Sequence, residues 1–161
     1  MRYPETDPCK PEPNPFRPDP SNMSPSKKET KVALAVRGVD VEPADVARGL
    51  ALQPEAAHRV GDSIAGLEPP GVRNDGWCSF GSHPAVARDA ECNAHLTWLV
   101  ERLEPHVELL KAWQDRGWSL RISVLTVTTE KSGAAFVRAP LLRRLAARGI
   151  DTVWRTICSS A

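Results

Sequence analysis

Bulky and small apolar residues alternate where the patterned part of the chain begins. Val32, Leu34 and Val36 alternate with Ala33 and Ala35, which predicts a strand with one large and one small face. Asp40-Val-Glu-Pro43-Ala then reads as a helix start: proline suits the first turn, and Asp45 suits the positive end of the helix dipole. Val46, Ala47 and Leu50 form its inner stripe, and the helix is expected to stop by Leu52, ahead of Pro54. Between residues 57 and 82 the pattern predicts a short strand near His58 and another over Trp77–Phe80. Turns at Leu67–Gly71 and Asn74–Gly76 separate them. Leu96, Leu99, Val100, Leu103, Val107, Leu110 and Trp113 follow at helical spacing, with Glu101, Glu104, Glu108 and Asp115 opposite. Asp89 is the expected cap of this long helix and Gly117 its stop, while Pro105 predicts a kink or a division. Trp118 to Thr128 alternates as a long strand. A turn at Lys131-Ser-Gly133 predicts a hairpin strand over Ala134–Val137. Pro140 opens a helix with Leu141, Leu142 and Leu145 inside, and Asp151–Ile157 reads as the last strand.

This order predicts an α+β domain: a largely antiparallel sheet with helices packed on one face, ferredoxin-like in spirit. Composition changes the picture mainly at the N-terminus. Eight of the 15 prolines fall within the first 25 residues, so residues 1–30 read as a disordered Pro-rich leader before a single domain over 31–161. Met23 is an alternative start, and a docking arm for an SH3- or WW-like partner is the functional alternative for the leader. No apolar run is long enough for a membrane helix, and no secretory pattern opens the chain. The expected location is the cytoplasm. The four cysteines (Cys9, Cys78, Cys92 and Cys158) form no CxxC pair and are expected as free thiols, all but Cys9 buried.

Several segments resemble a known family. They are the opening strand with Asp40-Val-Glu-Pro43, Arg59-Val-Gly61-Asp62 with Gly76-Trp77, the run His95-Leu-Thr-Trp-Leu-Val-Glu-Arg-Leu-Glu-Pro105, and the ending Leu141-Leu142 to Asp151. Together these resemble the bacterial domain-of-unknown-function family 4279, over residues 31–158. The resemblance implies a small bacterial cytosolic α+β domain. It brings no established activity or catalytic residues, and it leaves room for an immunity-like or regulatory role.

Candidate chemistry is sparse. Cys78, His83, Cys92 and His95 are the residue types of a tetrahedral zinc site, but Cys78 and His83 have an unusual ligand spacing. The competing reading is two buried cysteines and two capping or surface histidines. Cys78 or Cys92 with His58, His83 or His95 could form a nucleophile–base pair, yet no nucleophile elbow and no partner acid are recognisable. No glycine-rich phosphate loop is present. The sequence therefore favours a non-enzymatic binding or interaction module with no cofactor. A zinc-binding or hydrolytic domain is the alternative, and a nucleic-acid binder the second alternative.

Formal net charge is +1, but its distribution is uneven. Residues 117–161 carry seven basic against two acidic groups, and residues 32–116 carry eight against thirteen. Arg121, Arg144, Arg148 and Arg155 form the expected basic edge, with His95 as a further candidate binding residue. The expected partner is an acidic protein, engaged through this edge or the open sheet face. Most tryptophans fall at expected core positions, which counts against nucleic acid.

Overall fold

The computed structural model describes residues 28–64, 66, 71–128 and 136–158. Strand β1 (Glu29–Gly38) is the centre of a five-stranded sheet of order β2-β5-β1-β6-β7. Its neighbours β5 (Gly76–Gly81) and β6 (Ser119–Thr128) both run antiparallel to it. β2 (Ala56–His58) pairs antiparallel with β5 at one edge, and β7 (Asp151–Cys158) pairs parallel with β6 at the other. β3 (Ser63–Ile64) and β4 (Gly71–Val72) make a separate small hairpin. The domain is α+β, with a mostly antiparallel mixed sheet.

Alternation decides which face is covered. Val32, Leu34 and Val36 of β1, Cys78 and Phe80 of β5, and Leu120, Ile122 and Val124 of β6 are buried beneath the helices. α1 (Pro43–Leu50) starts at its proline as expected and buries Val46 and Leu50. α2 (Cys92–Leu103) lies over β1 and contributes Leu96, Leu99, Val100 and Leu103 to the core. Pro105 divides the long helix. A 3-10 turn over Glu104–His106 replaces the α-helical bond that proline cannot make, and α3 (Val107–Asp115) continues. Trp113 of α3 stacks obliquely on Trp118, with ring centroids 5.5 Å apart. α4 (Ala139–Ala146) connects β6 to β7, as parallel pairing demands.

Several expectations need correction. α2 is preceded by Glu91, not capped by Asp89. Val107 is exposed where α3 begins directly after the 3-10 turn, while Leu110 and Trp113 of the same helix stay in the core. Leu142 is exposed as well, leaving Leu141 and Leu145 as the inner residues of α4. Cys158 is exposed because it ends an edge strand. The hairpin strand expected over 134–137 lies partly outside the described residues. Its described end is not in a strand, and β6 pairs instead with β1 and β7. The leader lies outside the described residues up to residue 27, and β1 begins at Glu29.

Close backbone approach fixes one residue type in β5. A Cβ at Gly76 would overlap the carbonyl oxygen of Val41, which leads into α1. Gly76→Ala is therefore expected to destabilise the fold by about 3 kcal/mol, since main chain cannot yield as a side-chain tip can. Urea denaturation followed by circular dichroism checks this; an unchanged midpoint would show that the loop moves aside freely.

Candidate functional site

The face of the sheet away from the helices has a low floor. Ala33 and Ala35 of β1 face it, paired with Ser123 and Arg121 of β6 and with Gly81 and Ser79 of β5. Longer residues of the same parity rise at one end of this floor. Arg37 closes β1, Trp77 stands opposite it on β5, and His58 stands opposite Trp77 on β2. Arg121 projects from β6, and Arg73 and Asp75 enter from the segment between β4 and β5. Together they line an open cleft of about 570 Å³ over Ala35 and Ser119.

The polar geometry of the cleft is specific. Asp75 accepts a hydrogen bond from Arg37 Nε, and its other oxygen lies 3.4 Å from His58 Nε2. The His58 ring stacks on Trp77 at 5.5 Å with 23° between the planes. Arg37, bonded to the carboxylate, holds Asp75 below the usual carboxylate range, and His58 adds to the effect. Three guanidiniums thus face one carboxylate that is already engaged. Among the described residues Arg73 and Arg121 have no ion-pair partner. An arginine fork without a carboxylate of its own is suited to an incoming carboxylate or phosphate. Arg73 is held by its backbone, which exchanges two hydrogen bonds with the Gly61–Asp62 turn.

The expected basic edge is assembled differently. Arg144 and Arg148 both reach Glu104 in the 3-10 turn, Arg148 at 3.5 Å, so the pair fastens α4 to the α2–α3 junction. Arg155 lies exposed on the edge strand β7, on the same face as Arg121. His95 is fully buried in α2, its Nδ1 2.7 Å from Ser82 Oγ, and Ser82 Oγ lies 3.0 Å from the Val32 carbonyl. Burial lowers its pKa, so the ring is neutral. Both side chains are buried, and their contact with the Val32 carbonyl ties α2 to β1 through the core.

The four zinc candidates do not converge. Cys78 points into the core beneath the helices, whereas His83 pairs with Glu55, whose carboxylate covers Gly81 on the open side. Among the described residues no three His, Cys, Asp or Glu side chains are arranged to hold a metal ion. Burial pushes the Cys78 thiol up to about 12 and that of Cys92 up to about 11. Neither is a nucleophile at neutral pH.

Sequence reasoning named Arg121 only as part of a basic edge with Arg144, Arg148 and Arg155, and did not assemble the cleft. The available signal was parity: Arg37, Trp77 and Arg121 each alternate with buried residues on their strands. Trp77 is only half-buried and Trp154 is exposed, so two of the five tryptophans stand outside the core expected for them. In brief iodoacetamide labelling of the native protein at pH 7, Cys158 is expected to react while Cys78 and Cys92 do not. Peptide mass spectrometry reads the result, and labelling of Cys78 at the rate of Cys158 would contradict the buried-thiol assignment.

No helix among the described residues is long and apolar enough to cross a membrane. No similar curated protein and no similar solved structure is found. A family model described as a domain of unknown function, DUF4279, matches residues 28–159 and so takes in the whole sheet and its helix layer. With that span matched, the chain belongs to the DUF4279 family.

Proposed function

We propose that this domain is a non-enzymatic binding module whose open sheet face receives an acidic protein partner. The carrying observation is the pair of guanidiniums, Arg73 and Arg121, that share one cleft and have no ion-pair partner among the described residues. Arg37 and His58 shield the cleft's own carboxylate, so an incoming acidic side chain meets net positive charge. Trp77 adds a flat apolar wall beside them, a combination that recurs at interface hot spots. The cleft is open along the sheet, which suits a group projecting from a larger molecule better than an enclosed small ligand. The free thiols of Cys78, Cys92 and Cys158 accord with a cytoplasmic setting. An immunity-like or regulatory role is one use of such a module.

A nucleic-acid reading is favoured by one observation, the half-buried Trp77 standing among arginines. Only one aromatic side chain besides His58 lines the cleft, too few to track successive bases, so the acidic protein is preferred.

The test compares wild type, R73E/R121E and R144E/R148E in titrations with a glutamate-rich peptide and with single-stranded RNA, read by amide and indole NMR shifts. The peptide is expected to shift the Trp77 indole and to bind R73E/R121E at least about tenfold more weakly, with R144E/R148E close to wild type. Equal binding by R73E/R121E would remove the cleft from the proposal. Salt-dependent RNA binding without peptide binding would establish the nucleic-acid reading in its place.

A further inference from the structure

The two edges of the sheet are treated differently. β2 ends one side with three residues, which offers little main chain for pairing. β7 ends the other with eight residues, and its outer edge is unpaired among the described residues. Proteins usually blunt such an edge with proline, charged side chains (lysine above all), a bulge or brevity. Asp151–Cys158 contains no proline, lysine or glycine, and four of its eight residues are β-branched. Trp154 and Ile157 are large, apolar and exposed along it.

The charges on this edge have a pattern. Asp151, Val153, Arg155 and Ile157 share the open face, since they pair with Arg121, Ser123, Leu125 and Val127 of β6. Asp151 and Arg155 are both exposed, without ion-pair partners among the described residues, and stand equally far either side of Val153. Consider a second β7 laid antiparallel against the first, with a two-fold axis through Val153. Each Asp151 then faces the other copy's Arg155, and Val153 faces Val153. Centring on Trp154 would place Asp151 against Ile157, and centring on Arg155 would oppose two like charges. Opposite charges directly across a strand pair stabilise, and like charges destabilise.

We propose that β7 is a homodimerisation edge, pairing antiparallel with β7 of a second copy about Val153 to make a continuous ten-stranded sheet. An axis perpendicular to the sheet keeps the two open faces on one side, so both arginine clefts look the same way. The inference stands on the edge and its charge pattern and does not need the cleft to bind anything.

Sedimentation equilibrium of the full chain tests it, at concentrations up to about 100 µM, where a modest interface is populated. Wild type is expected to dimerise. D151R and R155D each oppose like charges twice per dimer and are expected to weaken association about tenfold or more, and the swap D151R/R155D to restore it. Circular dichroism confirms that each variant is folded. In a background with Cys9 and Cys158 replaced by Ser, V153C is expected to form an intermolecular disulfide, because directly opposed residues lie about 4.5–5.5 Å apart. T156C, well off the axis, is expected not to. A wild type that stays monomeric, a dimer indifferent to the single charge reversals, or a dimer in which V153C fails to cross-link would each overturn the proposal.

Discussion

The alternation within β1 is the constraint on which the rest of the structure depends. This strand lies in the middle of the sheet, and its neighbours on both sides take their register from it. Val32, Leu34 and Val36 are 0–1 % exposed and fill the space below α2. Each such side chain contributes roughly 1.5–3 kcal/mol on full burial. The other face carries Ala33 and Ala35. Two more bulky residues there would raise the floor to the height of its walls and leave an apolar patch in need of cover. Small residues instead leave the floor low, so that Arg37, Trp77 and Arg121 stand above it. One period-two pattern therefore builds both the core and the cleft.

The helix layer depends in turn on the division at Pro105. The 3-10 turn carries Glu104, which takes both Arg144 and Arg148 of α4. Gln114 near the end of α3 donates to the carbonyls of Arg148 and Gly149, acceptors that the end of α4 leaves free. Arg144 and Glu104 are about a third and half exposed, and such pairs add only ~0–1 kcal/mol. Burial of Leu141 and Leu145 holds the helix down, and the polar contacts choose where it sits. That placement guides the chain back to run β7 parallel beside β6.

Elements were legible in the sequence where their own periodicity was strong. β1, α1, β6 and β7 lie where the pattern puts them, within a few residues. The division at Pro105 was legible because proline's missing N–H acts locally. Pairing was less so. The turn residues Lys131-Ser-Gly133 favour a hairpin, whereas the pairing of β6 with β7 across α4 is set by tertiary packing. The zinc candidates fail for a related reason: closeness in sequence put Cys78 and His83 on one short segment, but alternation sends Cys78 inward while His83 turns to Glu55. The cleft was the hardest feature to read, since Arg37, Arg73 and Arg121 meet only once β1, the segment before β5, and β6 are assembled.

Segment charge was also a poor guide to the candidate cleft. Two guanidiniums of the basic C-terminal third are engaged by Glu104, while two of the three in the cleft come from the acidic body of the chain. A stronger rule acts on strands. A charge on the inward parity would be stripped of water beneath the helices, so every charge on a strand is driven to the open face. Glu29, Lys31, Arg37, Arg121, Asp151 and Arg155 all obey it. Their location is thus forced by a sheet covered on one side and carries no functional information. Their sign is not forced. Four of those six are basic, and the segment leading into β5 adds Arg73 beside a carboxylate already engaged by Arg37. The excess of arginine, rather than its exposure, is the feature on which the proposed acidic partner rests.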